Sequence, residues 1–199
     1  MNIISNTNSN MSKTGYLDLF IGSMFSGKTS KLIEIYKQCK FCNNEIIVIN
    51  YAGDTRYSDT MLSTHDKTMI PCIKSTTIQE VLDKHPDSIK SCDVIIINEG
   101  QFFSDIELVR ELVDKHNKRI YICGLDGDFE RKPIGNLLNL IPYCDNVCKM
   151  HSLCSICKDG TAGIFTFRLS NETEQVVIGS DNYIPVCRNC FTNLSKKKI

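Results

Sequence analysis

The chain has 199 residues, enough for one domain of moderate size or one domain with a small appendage. Lys plus Arg and Asp plus Glu number 23 each, so no net field draws the chain to nucleic acid or to a membrane surface, and a small specific ligand is the expected partner. No apolar run reaches the roughly 20 residues needed to cross a bilayer, and 11 cysteines without an export signal point to a reducing, cytoplasmic setting where thiols stay free or bind metal.

Residues 1–14, rich in Asn and Ser, are expected to form a disordered tail. Residues 16–21 are a short apolar run that leads straight into glycine. Residues 30–39 then place Leu32, Ile33, Ile35, Tyr36 and Cys39 at helical spacing, so the segment reads as strand, loop, helix. The loop itself, Gly22, Ser23, Met24, Phe25, Ser26, Gly27, Lys28 and Thr29, satisfies the pattern G-x-x-x-x-G-K-[ST] in full. Its glycines let successive N–H groups turn toward a phosphate, and the helix that follows adds its positive end. Lys28 is suited to reach the outer phosphates, and the Thr29 hydroxyl to ligate Mg²⁺.

Three more buried-strand candidates follow at 46–49, 94–97 and 120–123, each short and mostly β-branched. Helical patterns lie at 77–84 and 105–116, the second with Ser104 as N-cap and Glu107 closing a capping box. Alternating strands and helices predict an α/β nucleotide-binding domain over 15–143, a P-loop parallel sheet flanked by helices (RecA-like). The strand at 94–97 ends in Asn98, Glu99, Gly100, Gln101, Phe102 and Phe103. P-loop enzymes commonly end a second strand in an Asp that holds Mg²⁺; here Asn98 stands there, and Glu99 beside it is suited to take a proton from an acceptor hydroxyl.

The chain changes character near residue 144. Paired cysteines, a Gly-rich stretch at 160–163 and β-like runs at 164–169 and 175–178 predict a small β appendage over 144–191, with a flexible basic tail at 192–199. Cys154-x-x-Cys157 and Cys187-x-x-Cys190 are two hooks that together offer the four sulfurs of a closed Zn²⁺ site. Cys39-x-x-Cys42 lacks a second hook and reads as structural.

These motifs resemble the cytosolic-type (type II) thymidine kinase family, shared by animals, bacteria and large DNA viruses, over about residues 15–191. Its phosphate loop is matched at 22–29, its Asp-x-Arg segment by Asp54, Thr55, Arg56 and Tyr57, and its catalytic strand end by Glu99 to Phe103. Its substrate-pocket segment is matched at 125–133, and its structural zinc falls on the two cysteine hooks. The resemblance implies transfer of the ATP γ-phosphate to the 5′-hydroxyl of thymidine, with deoxyuridine as a second substrate, to give dTMP in pyrimidine nucleotide salvage. It implies Glu99 as general base and an ATP site of residues 22–29 with Asp54, Thr55, Arg56, Asn98 and Gln101. It further implies a nucleoside site of Met24, Phe102, Leu125, Phe129 and Thr166, closed by a lasso loop with Gln175, Val176, Val177, Ile178, Gly179 and Tyr183. Mg²⁺ with ATP, structural Zn²⁺, feedback by dTTP and a homotetramer are implied too, with no nucleic-acid or membrane partner.

Asn98 departs from the family, which usually carries Asp there, and the spacing inside the appendage differs slightly. Another P-loop small-molecule kinase is the alternative reading. A nucleic-acid-binding module, suggested by the zinc-ribbon-like cysteines, needs a basic face with interleaved aromatics, which the balanced charge does not supply.

Overall fold

β-Branched runs build the centre of the molecule because they pack well on both faces of a pleated parallel sheet. The computed structural model describes residues 14–53, 61–63, 68–177, 179 and 181–197; of the tail expected over 1–14, all but residue 14 lies outside them. Strand β1 (Tyr16–Gly22) leads into α1 (Lys28–Phe41) and β2 (Ile46–Tyr51). Short strands β3 (Met61–Ser63), β4 (Met69–Pro71) and β5 (Ile73–Ser75) precede α2 (Ile78–Lys84) and α3 (Pro86–Ser91). Then come β6 (Val94–Asn98), α4 (Val109–Asp114), β7 (Arg119–Gly124) and β8 (Asn146–Met150). The remainder holds β9 (Ser152–Leu153), β10 (Ala162–Gly163), β11 (Phe165–Arg168), β12 (Tyr183–Val186) and α5 (Arg188–Lys197).

The main sheet has the order β5-β2-β6-β7-β1-β8, and every neighbouring pair in it is parallel. Along β6, Val94 and Ile96 face one side, Ile95 and Ile97 the other, and all four are fully buried. Helix α1 covers the first side with Leu32, Ile33, Ile35 and Cys39. Helices α2, α3 and α4 cover the second through Ile78, Val81, Ile89, Val109 and Leu112. Each aliphatic side chain so enclosed contributes roughly 1.5–3 kcal/mol. The expected parallel α/β sheet flanked by helices is what the chain forms.

Some local expectations need correction. Residues 146–150 belong to the main sheet as β8, so the appendage starts later than 144. The strand escapes a hydrophobicity reading because it is an edge strand whose first four residues are exposed. It lies so close to β1 that a Cβ on Gly22, at φ +150, would sit 2.1 Å from the Met150 carbonyl oxygen. The run 175–177 forms no strand; β11 pairs instead with β12, antiparallel, and the loop between them carries those residues. Residues 192–197 are not a flexible tail but the end of α5, which buries Cys190 and Phe191 and places Lys196 and Lys197 in the last turn, where the helix dipole favours cations.

The segment after β6 also differs from expectation. Instead of a helix over 105–116 capped by Ser104, it starts as a 3₁₀ turn (Ile106–Leu108) and ends its α-helix at Asp114. The Asp105 carboxylate serves a neighbour: it accepts hydrogen bonds from the backbone N–H groups of Ile78 (2.9 Å) and Gln79 (2.8 Å), capping α2. At the same helix start the Thr77 hydroxyl accepts from the Glu80 N–H at 3.2 Å.

The Lys84 ammonium, the Ser75 hydroxyl and the Thr76 N–H hold the Glu80 carboxyl down at about 2. A depressed carboxylate stabilises the fold fully above its unfolded value of 4.5, and that contribution disappears as pH falls toward about 2. Glu80→Gln is therefore expected to lower the melting temperature at pH 7, with the gap from wild type narrowing as pH drops below 4.5. A gap independent of pH would show that the charge contributes nothing.

Candidate active site

In a parallel sheet all strands end on the same edge, so the residues after β1, β6 and β7 are brought together there. The loop after β1 turns into α1 at Gly27, which has φ 81, and no side chain caps that helix start. An uncapped helix N-terminus presents its first-turn N–H groups to an anion. Lys28 is buried, and its ammonium donates to the carbonyl oxygens of Gly22 (3.1 Å) and Ser23 (2.7 Å) and to the Ser26 hydroxyl (3.3 Å). The lysine is thus held across its own loop, within reach of whatever the loop cradles.

The ends of β2, β6 and β7 meet the loop through a polar network. The Asn98 side-chain oxygen accepts from the Thr29 hydroxyl (3.2 Å) and the Cys123 thiol (3.0 Å), and its amide nitrogen donates to Asn50 at 2.9 Å. Asn50 and Asn98 face each other in strand register, and both are buried. Buried polar groups of this kind must be mutually satisfied or they cost stability, so the network fixes where Thr29 points.

Glu99 does not continue β6. It sits at φ 58, ψ 42, in the left-handed region, and a 3₁₀ turn (Gly100–Phe102) follows. Such backbone is costly for a residue with a side chain and is characteristic of functional positions. The Gln101 amide donates to the Glu99 carboxylate at 2.8 Å, while its carbonyl oxygen accepts from the Leu125 N–H at 3.0 Å. Gln101, expected at the ATP site, is instead buried behind Glu99 and ties it to the segment after β7.

Glu99 and the loop open onto a cavity of about 410 Å³. Met24, Phe25, Ser26, Gly27, Lys28, Thr29 and Asn98 line one end. Phe102, Leu125, Phe129, Thr166, Gln175, Val176, Val177, Gly179 and Tyr183 line the rest. All of these come from the expected site, and the structure places them around one space. Gly22 and Ser23 meet it through Lys28, whose ammonium their carbonyl oxygens accept from. Asp54, Thr55, Arg56 and Ile178 lie outside the described residues. Sequence reasoning missed Tyr51, whose ring stacks on Phe102 at 5.1 Å between centroids, and Ser63 and Ile134, which also line the cavity. It missed Arg168 as well, whose guanidinium lies 3.7 Å from the centre of the Phe129 ring. For Tyr51 a signal existed, since an aromatic at the C-terminal end of a parallel strand points to the ligand edge.

The appendage docks directly on the phosphate loop. The Ser23 hydroxyl donates to the Gly163 carbonyl (2.9 Å), and the Met24 N–H donates to the Thr166 hydroxyl (3.0 Å). Behind this contact Cys154, Cys157, Cys187 and Cys190 bring their sulfurs within 4.8 Å of one another, a group that could hold a metal such as zinc. Two of the separations, Cys157 to Cys187 (3.8 Å) and Cys157 to Cys190 (3.5 Å), are far too long for a disulfide. They match the spacing of about 3.8 Å set by four sulfurs at about 2.3 Å from one tetrahedral ion. Burial pushes the Cys154 thiol up, but N–H groups of Cys157, Cys187 and Ile156 outweigh it and bring it to about 6, whereas contact with Cys157 and burial push the Cys190 thiol up.

No helix among the described residues is long and apolar enough to cross a membrane. The thymidine kinase family model matches residues 15–191. Among curated proteins, the chain is 39% identical over 178 residues to the thymidine kinase of vaccinia virus (strain Ankara), covering 89% of this chain and 97% of that one. It is 38% identical over 180 residues to that of myxoma virus (strain Uriarra), covering 89% and 96%. It is 37% identical over 185 residues to that of Yaba monkey tumor virus (strain VR587), covering 92% and 98%.

Proposed function

The chain belongs to the thymidine kinase family, and we propose that it phosphorylates thymidine by moving the γ-phosphate of ATP onto the 5′-hydroxyl, with Glu99 accepting the hydroxyl proton. The observation that carries this reading is the single cavity in which the phosphate loop, Glu99 and an aromatic pocket meet. Phosphoryl transfer asks for positioning and charge stabilisation rather than covalent chemistry. Residues 22–29 would cradle the ATP phosphates, with the Lys28 ammonium leaving its carbonyl partners for phosphate oxygens. Asp54, Thr55 and Arg56 would complete the phosphate side.

The nucleoside would lie at the other end. Phe102 and Phe129 offer ring faces to the base, Met24, Leu125 and Thr166 surround the thymine methyl group, and the loop through Val176, Val177 and Gly179 closes over it. Thymidine would then present its 5′-hydroxyl between Glu99 and the γ-phosphate, close enough for proton acceptance as the new P–O bond forms. Gln101 fixes the Glu99 carboxylate so that it needs little reorganisation. Deoxyuridine, lacking only the methyl group, would be a weaker substrate by a factor of about 10–200.

Two metals fit. The four clustered sulfurs suit a structural Zn²⁺ that fastens the appendage to the loop it docks on. Thr29 and Asn98 offer oxygens for Mg²⁺ beside the phosphates, and the bound ion would supply charge neutralisation there. Asn98 contributes no negative charge, so Thr29 becomes the protein group on which Mg²⁺ retention most depends. Asn98→Asp is expected to lower the free Mg²⁺ needed for half-maximal activity several-fold, and to raise Mg²⁺ affinity in a direct titration with a non-hydrolysable ATP analogue. An unchanged requirement in both would refute the idea.

We read the chain as two parts, the sheet through β8 and the cysteine-bearing segment from 151 to 191, assembled into a homotetramer that works in the cytoplasm and answers to dTTP. The test of the whole reading is label transfer from ATP to thymidine, developed below.

A further inference from the structure

The largest of the fully buried side chains is a charged one, Arg168, 1% exposed at the end of β11. A guanidinium stays charged at any working pH, and burying it is costly unless its donors are filled. Here they are filled by the loop that follows. One terminal nitrogen donates to the carbonyl oxygens of Glu172 (2.9 Å) and Glu174 (2.6 Å). The other donates to the Gln175 carbonyl (3.1 Å) and the Tyr183 hydroxyl (2.7 Å), and Nε donates to the same hydroxyl at 3.2 Å. The Tyr183 hydroxyl in turn donates to the Val177 carbonyl at 3.1 Å. The guanidinium plane also lies over Phe129, from the loop after β7.

One side chain therefore ties together three pieces of the nucleoside end: the Phe129 ring, the Tyr183 ring and the loop backbone from 172 to 177. Each of these reaches the cavity wall, whereas Arg168 does not. The loop has no strand partner along 171–177, so these bonds give its backbone acceptors the satisfaction that a sheet would otherwise supply. A second tie, from the Gln175 side chain to the Asp128 carboxylate (2.9 Å) and the Pro133 carbonyl (3.2 Å), runs from the loop to the segment after β7.

We propose that Arg168 is a positioning residue that holds the loop at 172–177 and the rings of Phe129 and Tyr183 in the geometry that receives the nucleoside, setting nucleoside affinity without touching it. The inference rests on the thymidine kinase reading for the identity of that nucleoside, but not for the ordering of the loop. Preordering matters because a loop that must be ordered during binding subtracts that entropy from affinity. The partners that hold the Arg168 guanidinium, from Phe129 to Tyr183 and the loop at 172–175, all belong to the nucleoside end, so the effect should fall on the acceptor side of the reaction.

The test compares Arg168→Met, Arg168→Lys and Tyr183→Phe with wild type. Arg168→Met keeps length and the contact over Phe129 but removes every donor, while Arg168→Lys keeps the charge without the planar fork. Arg168→Met is expected to raise the thymidine KM on the order of tenfold or more, with the ATP KM within about twofold and kcat changing less than the thymidine KM. Amide exchange of residues 172–177 in the ligand-free protein should accelerate by at least about tenfold, while exchange around the four cysteines stays unchanged. The two milder variants should show the same pattern at smaller size, and they carry the test if Arg168→Met does not fold. Equal rises in both KM values, a loss confined to kcat, or unchanged exchange at 172–177 would overturn the proposal. Wild type that transfers no phosphate to thymidine would refute the function reading instead, and the exchange data would still decide the role of Arg168.

Discussion

Glu99→Gln is expected to reduce kcat for thymidine phosphorylation by on the order of 10²- to 10⁴-fold, leaving both KM values within a few-fold of wild type. The substitution is nearly isosteric, so the left-handed backbone at φ 58 and the packing of the following turn are kept. The Gln101 amide can still donate to the side-chain oxygen at position 99, so the group stays aimed into the cavity. What is lost is the capacity to take a proton from the acceptor hydroxyl. A loss shared between kcat and a large rise in KM would indicate a binding role, and full activity would remove Glu99 from the chemistry. Because Gln101 also reaches Leu125, Gln101→Ala should show a smaller drop in kcat through misplacement of an intact carboxylate.

Loss of a metal from the four-cysteine site proposed above is expected to have the other large effect. The core around them is small: Phe167, Val186 and Phe191 with the cysteines themselves, Phe191 stacking edge-on against Phe165 and Phe167. A core of that size does not hold a fold without a staple, and structural zinc sites in small folds carry about 10–16 kcal/mol of apparent binding energy. Cys187→Ser, or a strong chelator at pH 7, should therefore melt the segment from 151 to 191. That releases Gly163 from Ser23 and Thr166 from Met24, so the damage reaches the phosphate loop. Thymidine phosphorylation should fall by about a hundredfold or more and return when Zn²⁺ is added back to the chelated wild type. Fully active protein shown by elemental analysis to contain no metal would sink this account.

The sequence carried a great deal of this structure where local chemistry dictates it. The phosphate loop is legible because its glycines answer to backbone needs: φ 81 at Gly27 favours glycine, and the 2.1 Å approach of the Met150 carbonyl at Gly22 leaves no room for a Cβ. Strand β6 is legible because four consecutive β-branched residues can only be buried on both faces. The cysteine hooks are legible because their spacing itself builds a ligand set. What stayed hidden depends on distant partners. Strand β8 is an exposed edge strand with no apolar pattern, recognisable only from its place beside β1. The tie from the Asp105 carboxylate to the start of α2 joins residues 27 apart in the chain, a partnership no local pattern reveals. Gln101 lies off the cavity wall because its side chain bonds two residues that line it, Glu99 and Leu125. Arg168 left a trace that can be read in retrospect. Strand alternation sets Thr166 and Arg168 on one face and Phe165 and Phe167 on the other, so an arginine shares a face with a pocket residue.

The most direct test of the central claim is a nucleoside panel with ATP labelled at the γ-phosphate, run with the purified 199-residue chain. The account predicts label on the 5′-position of thymidine, weaker label on deoxyuridine, little on deoxycytidine or purine nucleosides, and labelling of thymidine slowed on the order of 10²-fold or more with Glu99→Gln. Equal labelling of unrelated nucleosides, or transfer to another small molecule while thymidine stays unlabelled, would contradict it.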